Sequence, residues 1–298
     1  MTMKILNSLE KIEQNVEING ALFQCVIKGI TFTHEDGSSG IFDSVHFVDC
    51  IFVDCTIKGS GKYSQFNQGN RIRAAGHLKF INCRILDMAP VFGKEGTAFT
   101  DFFLYMRDTE INDVVSIASD VMNFTVINCD IYSINLHRRI LSPYTFSVIS
   151  SRVESIEFSR SISNFREDTL LFVGSDIELL NFRDDFNFTY LKKQSSTTES
   201  LFGKEKPDRV QLNNPYFGEC DLRGISFDGV SMDSSIIFYK SKVDGMDFSN
   251  IEFNETRTAR ISFEGCDVDV SSRVIFPENH QVYRAVIDGT ETYVAKLN

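Results

Sequence analysis

The chain has 298 residues, 42% of them apolar, with 27 Phe, no Trp and a formal charge of -11 at pH 7. That length and apolar share allow one or two domains with a substantial core, and the acidic balance excludes a general binder of nucleic-acid backbone or of an anionic membrane. No apolar run reaches the length of a bilayer span, and residues 1–20 lack the pattern of a secretory signal, so the expectation is a cytoplasmic protein, with export as an effector by another route left open.

Phe, Ile and Val favour strands, while Asn, Asp, Gly and Ser favour tight corners, so the composition points to an all-β fold. In chain order, residues 4–14 (KILNSLEKIEQ) come first. They place Ile5, Leu9 and Ile12 at helical spacing and predict a short amphipathic cap. A five-residue period follows at Phe42, Phe47, Phe52 and Ile57, with Gly40, Val45, Cys50 and Cys55 two residues before each. Residues two apart on a strand face the same side, so both members of each pair point inward while the residues between them turn a corner. Four such sides close a coil of about twenty residues, each stacked on the next at ~4.8 Å.

The polar stretch 60–77, with Lys62, Arg71 and Arg73, breaks this pattern and reads as a loop, and 89–105 reads as either a coil or an insertion. Ile85, Ile111, Ile131, Val153 and Ile177 then align as the central residues of successive coils, the last four separated by 20, 22 and 24 residues. Residues 191–209 form a charged, Ser/Thr-rich loop carrying Lys192, Lys193, Lys204, Lys206 and Arg209. The tidiest run is Phe217, Leu222, Phe227, Met232 and Ile237, preceded at the same offset by Pro215, Cys220, Ile225, Val230 and Ser235. After a one-residue slip it continues through Val243, Phe248, Phe253, Phe263 and Val268. QVYRAVI and ETYVA flank Asp288-Gly289 and predict a closing hairpin that covers the last coil or pairs with a second copy. All seven cysteines lie two residues before an Ile, Phe, Leu or Val, the small inward position, which makes them buried, reduced core residues rather than disulfides or metal ligands.

These units resemble the pentapeptide-repeat family, in which a small residue, Asp or Asn, and Leu or Phe precede two polar residues. The best matches are CDLRG (220–224), ISFDG (225–229), VSMDS (230–234), MDFSN (246–250), CDIYS (129–133), SDIEL (175–179) and CDVDV (266–270). Weaker ones are CVIKG (25–29), CIFVD (50–54) and CTIKG (55–59). The resemblance implies a right-handed quadrilateral parallel β-helix. The division it suggests is an N-terminal cap (1–20), irregular coils (21–190), a loop (191–209), regular coils (210–270) and a C-terminal cap (271–298). It also implies a role in surface contact, as a DNA mimic that binds type II topoisomerases or as an effector delivered into host cells. The missing Asp or Asn in many units and the insertions depart from the family pattern.

Nothing in the sequence composes a catalytic centre. The five histidines show no ligand spacing, and there is no phosphate loop or nucleophile elbow. Asp184 and Asp185 are adjacent and point to opposite faces of a strand, which does not suit an acid/base pair. No cofactor or metal is expected. Acidic residues recur at turn and outward positions (Asp43, Asp49, Asp54, Asp269 and those named next), where they suit corners or stack into a negative stripe. The candidate partner-binding residues are Asp221, Asp228, Asp233, Asp244, Asp247 and Asp267, with Lys192, Lys193, Lys204 and Lys206 in the loop. The expected function is a non-enzymatic scaffold that binds a partner protein, with homodimerisation through an end cap left open. A polysaccharide-binding or polysaccharide-degrading β-helix is the alternative.

Overall fold

In the computed structural model the five-residue period becomes stacked parallel strands. The model describes residues 3–17, 20–34, 37–59, 71–72, 74–88, 90–92, 102–117, 121–136, 145–158, 170–181, 210–212, 215–228, 230–232, 235–253, 260–266, 273–278, 280–287 and 290–297. A 14-stranded sheet runs the length of the solenoid. A 9-stranded sheet flanks it over Thr31–Asn181, and a 3-stranded sheet (Val210–Leu212, Val230–Met232, Glu252–Phe253) serves the C-terminal coils.

In the long sheet Ile27, Phe52, Phe80, Met106, Val126, Val148, Phe172, Phe217, Phe238 and Phe263 lie in register, all fully buried. A parallel sheet sets identical positions one above another, so the aromatic rings stack along the axis. The centroids of Phe172 and Phe217 are 4.9 Å apart, and Phe238 sits 5.1 Å from both Phe217 and Phe263. In the second sheet Phe32, Ile57, Ile85, Ile111, Ile131, Val153 and Ile177 form the matching inward column, so the spacings of 20, 22 and 24 residues are coil lengths.

Between these two sheets the chain turns at one left-handed residue per coil: Gly29, Asp54, Asn82, Asp108, Asn128, Ser150, Gly174, Glu219, Lys240 and Gly265, with φ between 46° and 67°. Asp, Asn and Gly tolerate this region best, and they hold seven of the ten corners. Each amide of this column donates to the next coil, as from Asn82 to the Arg107 carbonyl at 2.9 Å. The residue that follows is small at nine of the ten, the exception being Ile30 after Gly29. Cys55, Cys83, Thr109, Cys129, Ser151, Ser175, Cys220 and Ser241 each donate their thiol or hydroxyl to the carbonyl two residues back, at 2.8–3.3 Å. Cys, Ser and Thr therefore alternate in this column, and no cysteine is in a disulfide, six of them being buried and Cys266 half-buried.

Three sequence expectations change, and the open reading of 89–105 is resolved in favour of coils. The N-terminal cap is not one helix over 4–14. Lys4–Leu6 is a strand paired with Cys25–Lys28, leaving Ile5 64% exposed and Leu6 buried, because alternation governs there. The helix spans only Leu9–Asn15, is capped by Ser8, and buries Ile12. The loop read over 60–77 ends early. Arg71–Ile72 and Ala74–Ile81 are strands, and Ile72, Ala74 and Ala75 are buried. Within 89–105, Val91–Phe92 and part of Phe102–Arg107 are strands, so that stretch contributes to coils. The slip in the C-terminal run falls between Met232 and Phe238 rather than between Ile237 and Val243. Ile236 and Phe238 point inward and Ile237 outward, which places the larger Phe ring on Phe217.

The C-terminal hairpin is present. His280–Ile287 and Thr290–Leu297 pair antiparallel, and the second strand closes the long sheet against Arg260–Glu264.

Candidate functional site

The outward positions of the two main sheets differ in chemistry. On the second sheet, the residue just before each inward one forms a column in register: Arg84, Glu110, Asp130, Arg152 and Asp176, extended by single bridges to Asp221 and Lys242. The position just after each inward residue supplies Lys58, Asn112, Tyr132, Glu154 and Glu178 on the same face. Around the middle coils, Glu110, Asp130, Glu154, Asp176 and Glu178 stand against Arg84 and Arg152, five carboxylates to two guanidiniums. Arg152 is ion-paired to Glu178 at 2.9 Å, and Arg84 to Glu110 at 2.8 Å.

A shallow cleft of ≈ 230 Å³ opens here, lined by Glu110, Ile111, Asn112, Asp130, Ile131, Tyr132, Arg152 and Glu154. The Tyr132 ring is 47% exposed beside it. The cleft owes its shape to a bulge: Ile111 pairs with Ile131 and Val114 with Ser133, so Asn112 and Asp113 together oppose Tyr132. Asn112 anchors the bulge, accepting from the Asp87 amide at 2.8 Å and donating to the Asp87 carboxylate at 3.4 Å. Buried Asp113 accepts from the Val114 amide at 2.8 Å.

The residues expected from sequence are placed as follows. Both oxygens of Asp221 are engaged: Oδ1 accepts from Arg223 Nε at 2.8 Å, and Oδ2 from Arg223 Nη2 at 2.8 Å and Lys242 Nζ at 2.9 Å. The Arg223 guanidinium, helped by Lys242, holds this carboxyl well below the usual range, at about 2. Asp244 pairs with Arg273 at 3.1 Å. Asp247 accepts from the Ser249 amide at 2.8 Å, and the Asp228 amide donates to Ser226 Oγ at 3.2 Å. Asp233, Asp267, Lys192, Lys193, Lys204 and Lys206 lie outside the described residues, as do Asp184, Asp185 and Asp269.

Asp221 and Asp244 are thus set among cations, whereas the excess of carboxylate gathers at the middle coils. Glu110, Asp130, Glu154 and Asp176 were not singled out in the sequence. The signal was there, since each directly flanks an aligned inward residue and is therefore outward by alternation.

The outer face of the long sheet is largely apolar. One column runs Val26, Ile51, Lys79, Tyr105, Thr125, Ser147, Leu171, Tyr216, Ile237 and Ser262. The other runs Val53, Ile81, Arg107, Ile127, Ile149, Val173, Gly218, Tyr239 and Glu264. Among the described residues no group of three or more His, Cys, Asp or Glu has the geometry of a metal site, and no helix is long and apolar enough to cross a membrane. Comparison of the chain with protein-family models, with curated proteins and with solved structures found no match in any of the three.

Proposed function

We propose that this protein is a non-enzymatic interaction scaffold, an acidic β-helix rod that holds a basic segment of a partner protein against the outer face of its second sheet. The observation that carries the reading is the gathering of Glu110, Asp130 and Glu154 around the Tyr132 cleft, with Asp176 and Glu178 one coil beyond, against Arg84 and Arg152. Registered charges on a rigid sheet form a lasting negative potential, and a chain of net charge -11 steers a cationic partner toward it. An exposed tyrosine beside carboxylates adds a stacking surface for arginine. The same negative field disfavours an acidic polysaccharide. The five-residue period and the left-handed Asp, Asn and Gly corners support reading the chain as a degenerate pentapeptide-repeat protein.

The test is fluorescence anisotropy of an arginine-rich synthetic peptide at two salt concentrations, on the wild type and on the triple variant Glu110→Lys, Asp130→Lys, Glu154→Lys. Affinity that falls with salt and is lost in the triple variant supports the reading, while Asp221→Asn leaves binding unchanged. Equal binding by wild type and triple variant sinks it. A lysate capture run with the same pair then asks whether the retained protein is a topoisomerase or a host factor.

A further inference from the structure

We infer that the outer face of the long sheet is a self-association surface, on which a second copy of this chain packs face to face with its axis reversed. This goes beyond the acidic face and does not depend on it.

The two central columns hold no charged residue over five consecutive layers, from Thr125 and Ile127 to Ile237 and Tyr239, and the nearest cation at that end is the Lys240 ammonium, 5.0 Å from the centre of the Tyr239 ring. Its apolar side chains are half-buried. A Cβ at Gly218 would come within 2.7 Å of the Tyr216 ring, so that ring lies along the sheet and keeps the surface low. Most other approaches between two chains of net charge -11 bring like charges together.

The charges that bound the patch select the arrangement. Counting from the layer of Leu171 and Val173, Arg107, whose Nε also meets Asp108 at 3.3 Å, lies three layers toward the N-terminus and Glu264 three layers toward the C-terminus, in the same outward column. A twofold axis parallel to the strands through the Val173 layer sets Arg107 of each copy against Glu264 of the other, and sets Val173 against its own equivalent. Such an interface is isologous and closes on itself. Seven layers at ~4.8 Å and a width of ~15 Å give on the order of 500 Å² per copy. The pair then covers roughly 1,000 Å², which is the lower bound for a specific interface and implies a concentration-dependent dimer.

The experiment is sedimentation equilibrium of the full chain across a concentration series, with far-UV circular dichroism verifying the fold of each variant. The wild type is expected to dimerise, and Val173→Asp, which sets two carboxylates against each other, to remain monomeric. Arg107→Glu and Glu264→Arg alone are each expected to raise the dimer dissociation constant about tenfold, and the double exchange to restore it. A wild type that is monomeric throughout overturns the inference, as does a dimer indifferent to Val173→Asp. Failure of the double exchange to restore association overturns the reversed arrangement.

Discussion

The position of the register slip near residue 238 decides which side chain fills the core, and it can be measured. Phe238 is fully buried, stacked at 5.1 Å on Phe217 and on Phe263, and meets Phe227 and Phe248 edge-on at 6.0 and 5.8 Å. Removing a buried phenylalanine ring costs about 3–5 kcal/mol through lost burial and the remaining cavity. This site lies toward the upper end, because four rings lose a partner and each coil rests only on its neighbours. Ile237 faces outward and is partly exposed, so truncation there removes little buried area and costs on the order of 1 kcal/mol or less. The assay is urea unfolding of Phe238→Ala and Ile237→Ala, followed by circular dichroism, with midpoint shifts converted through a common m-value. Phe238→Ala should be the weaker protein by at least ~2 kcal/mol. Equal losses, or a larger loss at Ile237, refute the register and return the slip to the place that the plain five-residue count suggests.

Two further outcomes follow from titratable groups. Burial pushes the Cys50, Cys129 and Cys220 thiols up to about 11, and Cys55, which its hydrogen bond with Cys83 lowers, is itself shut off from solvent, so the native protein should react with a thiol reagent at mildly alkaline pH through at most Cys266, and all seven should react after unfolding. Rapid titration of several thiols in the folded state refutes this burial. Because the folded values of Cys50, Cys129 and Cys220 lie above that of an unfolded thiol, ~8.5, their contribution to stability is complete below that pH and is lost as pH rises through about 11. Asp221 has the opposite sign. Its carboxyl is held at about 2 by Arg223 and Lys242, so its contribution is present above the ordinary value of ~3.9 and disappears as pH falls through about 2. Asp221→Asn should flatten that part of the acid limb of the melting profile, and an unchanged limb argues that the Arg223 contact does not form.

Much of the fold is legible in the residues. Ile85, Ile111, Ile131, Val153 and Ile177 align in sequence and stack in register, because a parallel solenoid converts equal spacing along the chain into vertical alignment. The cysteine offset is legible for the same reason, since the position after the corner holds a small side chain in nine of the ten coils, Ile30 after Gly29 being the exception. The ends were harder to read. At Lys4–Leu6 helical and alternating periods compete over three residues, and pairing with Cys25–Lys28 decides between them. The candidate site was partly legible. That Asp130 and Asp176 are outward follows from strand alternation, but a list of aspartates cannot tell which ones have a cation one coil away.

The sequence by itself therefore determined the class of architecture, the inward columns and the chemistry of the corners, all of which depend on spacing within one coil. Which residues share a face was decided only by the tertiary structure. Lys242 neutralises Asp221 from 21 positions away, and Arg152 stands one coil above Asp130, 22 positions on. Coil length varies from 20 to 28 residues among the N-terminal and middle coils, so the partner of an outward charge depends on how many residues each coil absorbs. That number is set by the packing of the next layer, through the bulge at Asn112 and Asp113 and the slip before Phe238, and no local pattern encodes it.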